Sequence, residues 1–241
     1  ELINGVNDDY TISTDGFAVS LVYVDGTKGW KSVTGSDADA TGVSPAFVVA
    51  TGGSPSTGTI SGDYKIHAFT GTGPLCVSTA GNPAGNDKID YLVLAGGASG
   101  GGQNGGYGGA GGAGGYRESV PSPAAWTGSP NASPGGGVTA SVTDYTITVG
   151  GGGAIVPGGN PGAVGDNSVF STITSAGGGY GGHEGSVGGD GGSGGGGGGA
   201  NGACQQFLGG SGNTPATPIS QGFDGGGSNY GPQPPAGALG G

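Results

Sequence analysis

The chain has 241 residues, 67 of them glycine, with an apolar fraction of 32% and a charged fraction of 9%. Its length allows one or two domains, yet its apolar mass is too small for a conventional core along all of it. Sixteen acidic against five basic residues give a net charge of −11, which excludes nucleic acid as a partner because a phosphate backbone needs clustered Lys and Arg, and no run approaches the ~20 apolar residues that membrane insertion requires.

The chain begins at Glu1, has no methionine and opens on no charged-then-apolar leader, so further sequence is expected upstream. Residues 1–40 read as a β-hairpin unit. Tyr10 to Thr14 and Phe17 to Val24 flank Asp15-Gly16, and Asp25-Gly26 repeats the turn signal before Gly29, Trp30 and Val33. Alternation of Val19, Leu21 and Tyr23 with Ala18, Ser20 and Val22 predicts one face more buried than the other. Residues 41–62 read as a linker containing a short strand at Ala46 to Ala50.

A glycine-rich β domain spans 63–241. Tyr64 to Thr70 alternates as a strand, with Leu75 to Ser78 returning beside it after a turn at Gly71 to Gly73. Further strands are expected at Ile89 to Ala95, Val138 to Ser141, Tyr145 to Val149 and Val169 to Ser175. Three of them run straight into glycine, at Gly96, Gly150 and Gly177. Glu118 to Gly137 is a Pro/Ser excursion, and the last forty residues drift into Gly, Pro and Asn.

Within the glycine runs the period is three. Gly105 to Tyr116 reads Gly-Gly-Tyr, Gly-Gly-Ala, Gly-Gly-Ala, Gly-Gly-Tyr, and a second run keeps glycine at 179, 182, 185, 188, 191, 194 and 197. Neither α-helix nor strand has this repeat, but a left-handed polyproline-II-type helix does, with three residues per turn. Such helices make no internal hydrogen bonds, so side by side they satisfy one another's main chain. The fold expected is therefore all-β with polyglycine-II helices: antiparallel strands flank a glycine-rich helical bundle, with little or no α-helix. Collagen is excluded, because glycine fills two positions in three over long stretches and few prolines fill the rest. A disordered linker is the rival that composition alone favours. Repeated anchoring by strands argues against it.

The chemical motifs are weak. Gly97-Ala98-Ser99-Gly100-Gly101 spells a nucleophile elbow without the following helix or a His and acid partner. Gly100, Gly102 and Gly105 spell a dinucleotide loop where no helix former follows. His67 and His183 lack metal-ligand spacing, and Asn7, Asp8, Asp9, Asp37 and Asp39 lack the calcium-loop pattern. No catalytic, cofactor-binding or metal-binding residue is assigned, and the protein is read as a non-enzyme. Cys76 and Cys204 are either free or bridged. Asn131-Ala132-Ser133 has the form of a glycosylation sequon. Tyr107, Tyr116 and Tyr180 are read as capping the glycine bundle, whereas Trp126, Phe207, Phe223 and Tyr230 are candidates for contacting a receptor.

The blocks Tyr64 to Gly73, Ile89 to Gly97, Gly114 to Arg117, Tyr145 to Gly150 and Asn167 to Phe170 resemble the glycine-rich domain of bacteriophage tail-fibre and other virion structural proteins over roughly residues 64–200. The opening from Leu2 to Trp30 also resembles a β segment of large phage structural proteins. Leu75-Cys76-Val77 departs from the family's usual aromatic run, and the chain beyond Ala200 matches nothing in the pattern. The resemblance implies a virion location and a tail or head fibre module presenting loops to a host-surface glycan or outer-membrane protein. Its partners would be itself, as a homotrimer, and other virion proteins. A capsid decoration or cement protein, a non-phage glycine-rich filament and an ice-binding protein are the alternatives.

Overall fold

A computed structural model describes residues 2–3, 20–32, 45–102, 107–121, 127–133, 136–200, 205–228 and 238–241. They are all-β, with no helix. Two compact units divide the chain: Glu1–Val48 with Ala80–Asp87, and Val49–Thr79 with Lys88–Gly241.

In the first unit β1 (Leu21–Asp25) pairs antiparallel with β2 (Gly29–Ser32). The Asp25 carboxylate closes the turn by accepting the Lys28 and Thr27 amides at 2.6 and 2.8 Å, which holds its pKa below the usual carboxylate value. Gly29 has φ +66, and a Cβ there would meet Leu2 O at 2.0 Å. The Asp25-Gly26 turn is therefore where the sequence places it. The expected buried face is not: all five β1 residues are exposed, and the ring contact of Tyr23 is with Trp30 on the same hairpin. The Asp15-Gly16 hairpin falls outside the described residues.

The second unit holds most of the strands. Residues 41–62, read as a linker with a short strand at Ala46 to Ala50, contain β3 (Val48–Thr51), which overlaps that strand, and also β4 (Thr59–Ser61). β4 pairs with β5 (Tyr64–Ile66), and β6 (Gly73–Ala80) pairs with β12 (Asp144–Thr148), so Leu75 to Ser78 does not return beside Tyr64. The run Ile89 to Ala95 splits into β7 (Lys88–Ile89) and β8 (Leu92–Leu94). β8 pairs antiparallel with β9 (Tyr116–Ser119), which pairs parallel with β10 (Ala132–Ser133); β11 (Val138–Thr139) pairs with β7. Val169 to Ser175 is a hairpin rather than one strand, β13 (Ser168–Phe170) and β14 (Ile173–Ser175), turned at Ser171 with φ 53. The largest sheet has the order β14-β13-β12-β6-β3. Its small core gathers Leu75, Val77 and Phe170, with Tyr91 and Tyr145 set edge-on and tilted against Phe170.

Three strands feed glycine segments as expected, β8 into 95–102, β12 into 150–156 and β14 into 176–182. These segments are neither helix nor strand, and their hydrogen bonds advance in steps of three. Ala95, Ala98 and Gly101 donate to Gly115, Gly112 and Gly109, while Gly96, Ser99 and Gly102 donate to Asp166, Ala163 and Asn160. Ser193, Gly196 and Gly199 donate to Ala113, Ala110 and Tyr107 in the same way. A threefold extended chain has that repeat.

The segment 193–199 lies at the centre. Its amides and carbonyls bond to 107–116, 176–182, 186–192, 207–212, 223–228 and 238–241, and each of these six also bonds to the next around the ring. A backbone so enclosed leaves no direction for a side chain at Gly194, Gly195 or Gly196. Added Cβ atoms would meet Gly210 O at 1.9 Å from Gly194, Tyr180 O at 1.9 Å from Gly195 and Ala238 O at 2.1 Å from Gly196. Six consecutive glycines from Gly194 are the consequence. The second glycine run is thus three separate segments, reversed at His183–Ser186 and around Asp190–Gly192, rather than one continuous rod.

Candidate functional site

At one end of the glycine bundle Ala95, Tyr116, Gly150 and Ala176 join the sheets. At the other, 150–156 reverses into 160–166 and 176–182 into 186–192, beside the segment ends Gly102, Tyr107, Gly199, Phe207, Ser228 and Ala238. The hydrogen bonds Gly102 to Asn160, Tyr107 to Gly199 and Ser228 to Phe207 tie these reversals to one end. Two described reversals and these segment ends therefore share one face, which we call the tip.

Side chains reach the tip wherever the lattice releases a position. Tyr107 has 36% of its surface open, and its backbone pairs with Gly199. Phe207 is half-buried; its amide receives Ser228 Oγ as acceptor at 2.9 Å, and its ring would lie 3.6 Å from a Cβ on Gly185. Gly185 has φ +69, which lets the chain turn tightly beneath that ring. Ser186 Oγ lies 2.8 Å from His183 Nδ1 and 3.1 Å from His183 O, so His183 closes its own turn instead of projecting freely from a glycine helix. The other turn, Pro157 to Asn160, is held by the Asn160 side-chain amide donating to Pro157 O and Gly158 O.

The four sequence candidates separate. Phe207 belongs to the tip, whereas Phe223 stands 67% exposed nearer the sheets, where its carbonyl accepts the Gly194 amide. Trp126 and Tyr230 lie outside the described residues, as do Cys204 and Asn7, Asp8, Asp9, Asp37 and Asp39. Tyr116 is at the sheet end, its hydroxyl donating to Glu118 Oε2 at 2.8 Å; burial, then this carboxylate, raises its pKa. The Tyr180 ring lies against Gly189. Tyr107 and Asn160 are tip residues that sequence reasoning did not nominate; their signal was position beside a break in the glycine period.

The remaining chemical motifs resolve into structural roles. Ser99 Oγ accepts the Ala163 amide at 2.8 Å, completing the ladder that its own amide donates to. His67 is outside any strand: its Nδ1 is 2.9 Å from Gly52 O, while buried Nε2 has no partner among the described residues. Cys76 is a free thiol whose pKa is raised by hydrogen bonding to Asp144, its cross-strand neighbour. No group of three or more His, Cys, Asp or Glu that could hold a metal occurs among the described residues, and no helix among them is long and apolar enough to cross a membrane.

A family model described as a glycine-rich domain matches residues 76–241, more than half of the chain. No curated protein and no solved structure matches.

Proposed function

The chain belongs to the glycine-rich domain family, and from that premise we propose that it is a non-enzymatic bacteriophage virion protein, a tail or head fibre module that presents its tip to a host surface. The observation that carries this reading is the gathering of the Pro157–Asn160 and His183–Ser186 reversals with the segment ends at Gly102, Tyr107, Gly199, Phe207 and Ser228, at the end of the bundle remote from the sheets. Loops vary without disturbing the scaffold, and recognition residues gather on loops held by rigid elements. We read the glycine segments as polyglycine-II helices on the strength of their three-residue hydrogen-bond step.

The mechanism is mechanical and adhesive. Bonds running sideways between segments stiffen the body, and the tip offers Tyr107 and Phe207 beside polar turn residues to a surface glycan or an outer-membrane protein. Antibodies against this chain should decorate fibre ends on phage particles in electron micrographs, and a Phe207→Ala variant should adsorb at least several-fold less to host cells while melting normally. Labelling spread over the capsid shell would move the protein to the decoration class; labelling absent from particles would remove the virion reading.

A further inference from the structure

The ring around 193–199 closes through 238–241. Ala110 and Ala113 donate to Ala238 O and Gly241 O, Gly226 donates to Leu239 O, and Ala238 and Gly241 donate inward to Gly197 O and Gly194 O. The slot between 107–116 and 223–228 thus offers three N–H groups, above two carbonyls of the central segment, and their order sets which way its occupant runs. It sets composition too. A Cβ at Gly240 would meet Gly111 O at 2.3 Å and one at Gly241 would meet Phe223 O at 2.3 Å, whereas Leu239 points outward with 80% of its surface exposed. Ala238 is half-buried beside the bare face of Gly226, where an added Cβ would lie 3.5 Å from Ala238 Cβ. The slot therefore selects Ala-x-Gly-Gly, and no large side chain anchors the segment that fills it.

We propose that 238–241 is an exchangeable occupant of this slot, and that the same segment of a second copy of the chain takes its place and links the two copies. The chemistry of the occupant is fixed by what the slot already holds, and every copy carries that segment. All five bonds join main-chain atoms, so a segment entering from another copy restores each of them in the same direction. Release gives up little apolar burial, because Leu239 lies in solvent whether the segment is seated or not. A ring member held by main-chain bonds alone opens locally before the rest of the ring does. Nine residues separate Ser228 from Ala238 in sequence, and an extended chain of that length reaches roughly 28 Å, far enough to enter a neighbouring molecule.

Crosslinking of full-length chains tests the exchange. With Cys76 and Cys204 both replaced by serine, Gly226→Cys chains incubated with Leu239→Cys chains should form a mixed disulfide, assigned by peptide mapping, at several times the disulfide yield of either chain alone. Adding Gly240→Val to the Leu239→Cys chain should lower that yield at least several-fold, because the new Cβ runs into Gly111 O. Hydrogen exchange tests the slot itself. In a full chain carrying Gly240→Val and Gly241→Val, the Ala110, Ala113 and Gly226 amides should exchange at least tenfold faster while those of β12 keep their protection. Acetylated Ala-Gly-Ala-Leu-Gly-Gly at millimolar concentration should restore the three amides, and Ala-Gly-Ala-Leu-Val-Val should not. An absent mixed disulfide, one indifferent to Gly240→Val, unchanged exchange in the double variant, or equal rescue by both peptides or by neither would each overturn the proposal. None of these outcomes depends on whether the tip adheres to cells.

Discussion

At Gly112 a methyl group would sit 2.3 Å from Ser193 O and 2.6 Å from Gly194 O, both main-chain atoms that cannot step aside. One residue later, Ala113 is exposed. The Gly-Gly-Ala spelling of 108–113 follows from this geometry: the two glycine positions of each repeat face neighbouring carbonyls, while Ala110 is half-buried and Ala113 faces out. We expect Gly112→Ala to lower stability by roughly 2 kcal/mol or more, as overpacking does, and Ala113→Ser to change it by less than about 0.5 kcal/mol, both read from thermal unfolding. The Cys76 thiol provides a second test. The hydrogen bond and negative charge of Asp144 oppose its ionisation, so Asp144→Asn should speed its alkylation near pH 8 several-fold, followed by mass mapping of the Cys76 peptide. Asp25 has a pKa lowered from 3.8 by the Lys28 amide first and the Thr27 amide second. A depressed carboxylate pKa stabilises the folded turn above the unfolded value, and that contribution disappears as pH falls through the folded one. The Thr27 and Lys28 amide resonances should therefore move together with a midpoint below 3.8, and an Asp25→Asn variant should lack this titration.

Among the elements, those with a strong period were legible and those made by partnership were not. The three strand-to-glycine junctions and the Asp25-Gly26 hairpin follow from local residue order, because turn chemistry and the threefold repeat are properties of consecutive residues. β9 and β10 were missed because they hold few residues and their pairing joins Glu118 to Ala132 across the Pro/Ser excursion. The partner of β6 was misplaced for a related reason: Leu75 lies opposite Tyr145, and nothing local encodes a register of that separation. Reversals at 183–186 and around 190–192 were hidden because glycine kept its phase through them. At the candidate site, Phe207 was legible as an aromatic in a glycine-poor interval, whereas its convergence with Tyr107 and Asn160 required the bundle. Segment ends use side chains where the main chain runs out of partners. Gln221, 1% exposed, accepts the Ala176 amide through Oε1 and donates through Nε2 to Pro215 O, both at distances below 3 Å. Gln221→Leu leaves a buried N–H and a C=O without these partners and should cost about 1–3 kcal/mol in chemical denaturation.

At the scale of the second unit, main-chain bonds surround one buried segment, 193–199. The amides of Gly194 to Gly198 should be the slowest to exchange with deuterium, far behind the exposed hairpin of β4 and β5, as read by mass spectrometry of the two peptides. Because burying amide surface lowers the heat capacity of unfolding where burying apolar surface raises it, calorimetry should give a per-residue value below the usual ~12 cal/mol/K. A flatter stability curve then follows, with folding less sensitive to cold than in a protein built on aliphatic side chains. The three-residue step also governs how such a scaffold can lengthen over evolutionary time. Inserting one or two amino acids into a segment would rotate every following glycine out of its slot, whereas inserting three restores each one and advances the reversal by roughly 9 Å. Relatives with taller or shorter bundles should accordingly differ by nine-base insertions and deletions in their coding sequences.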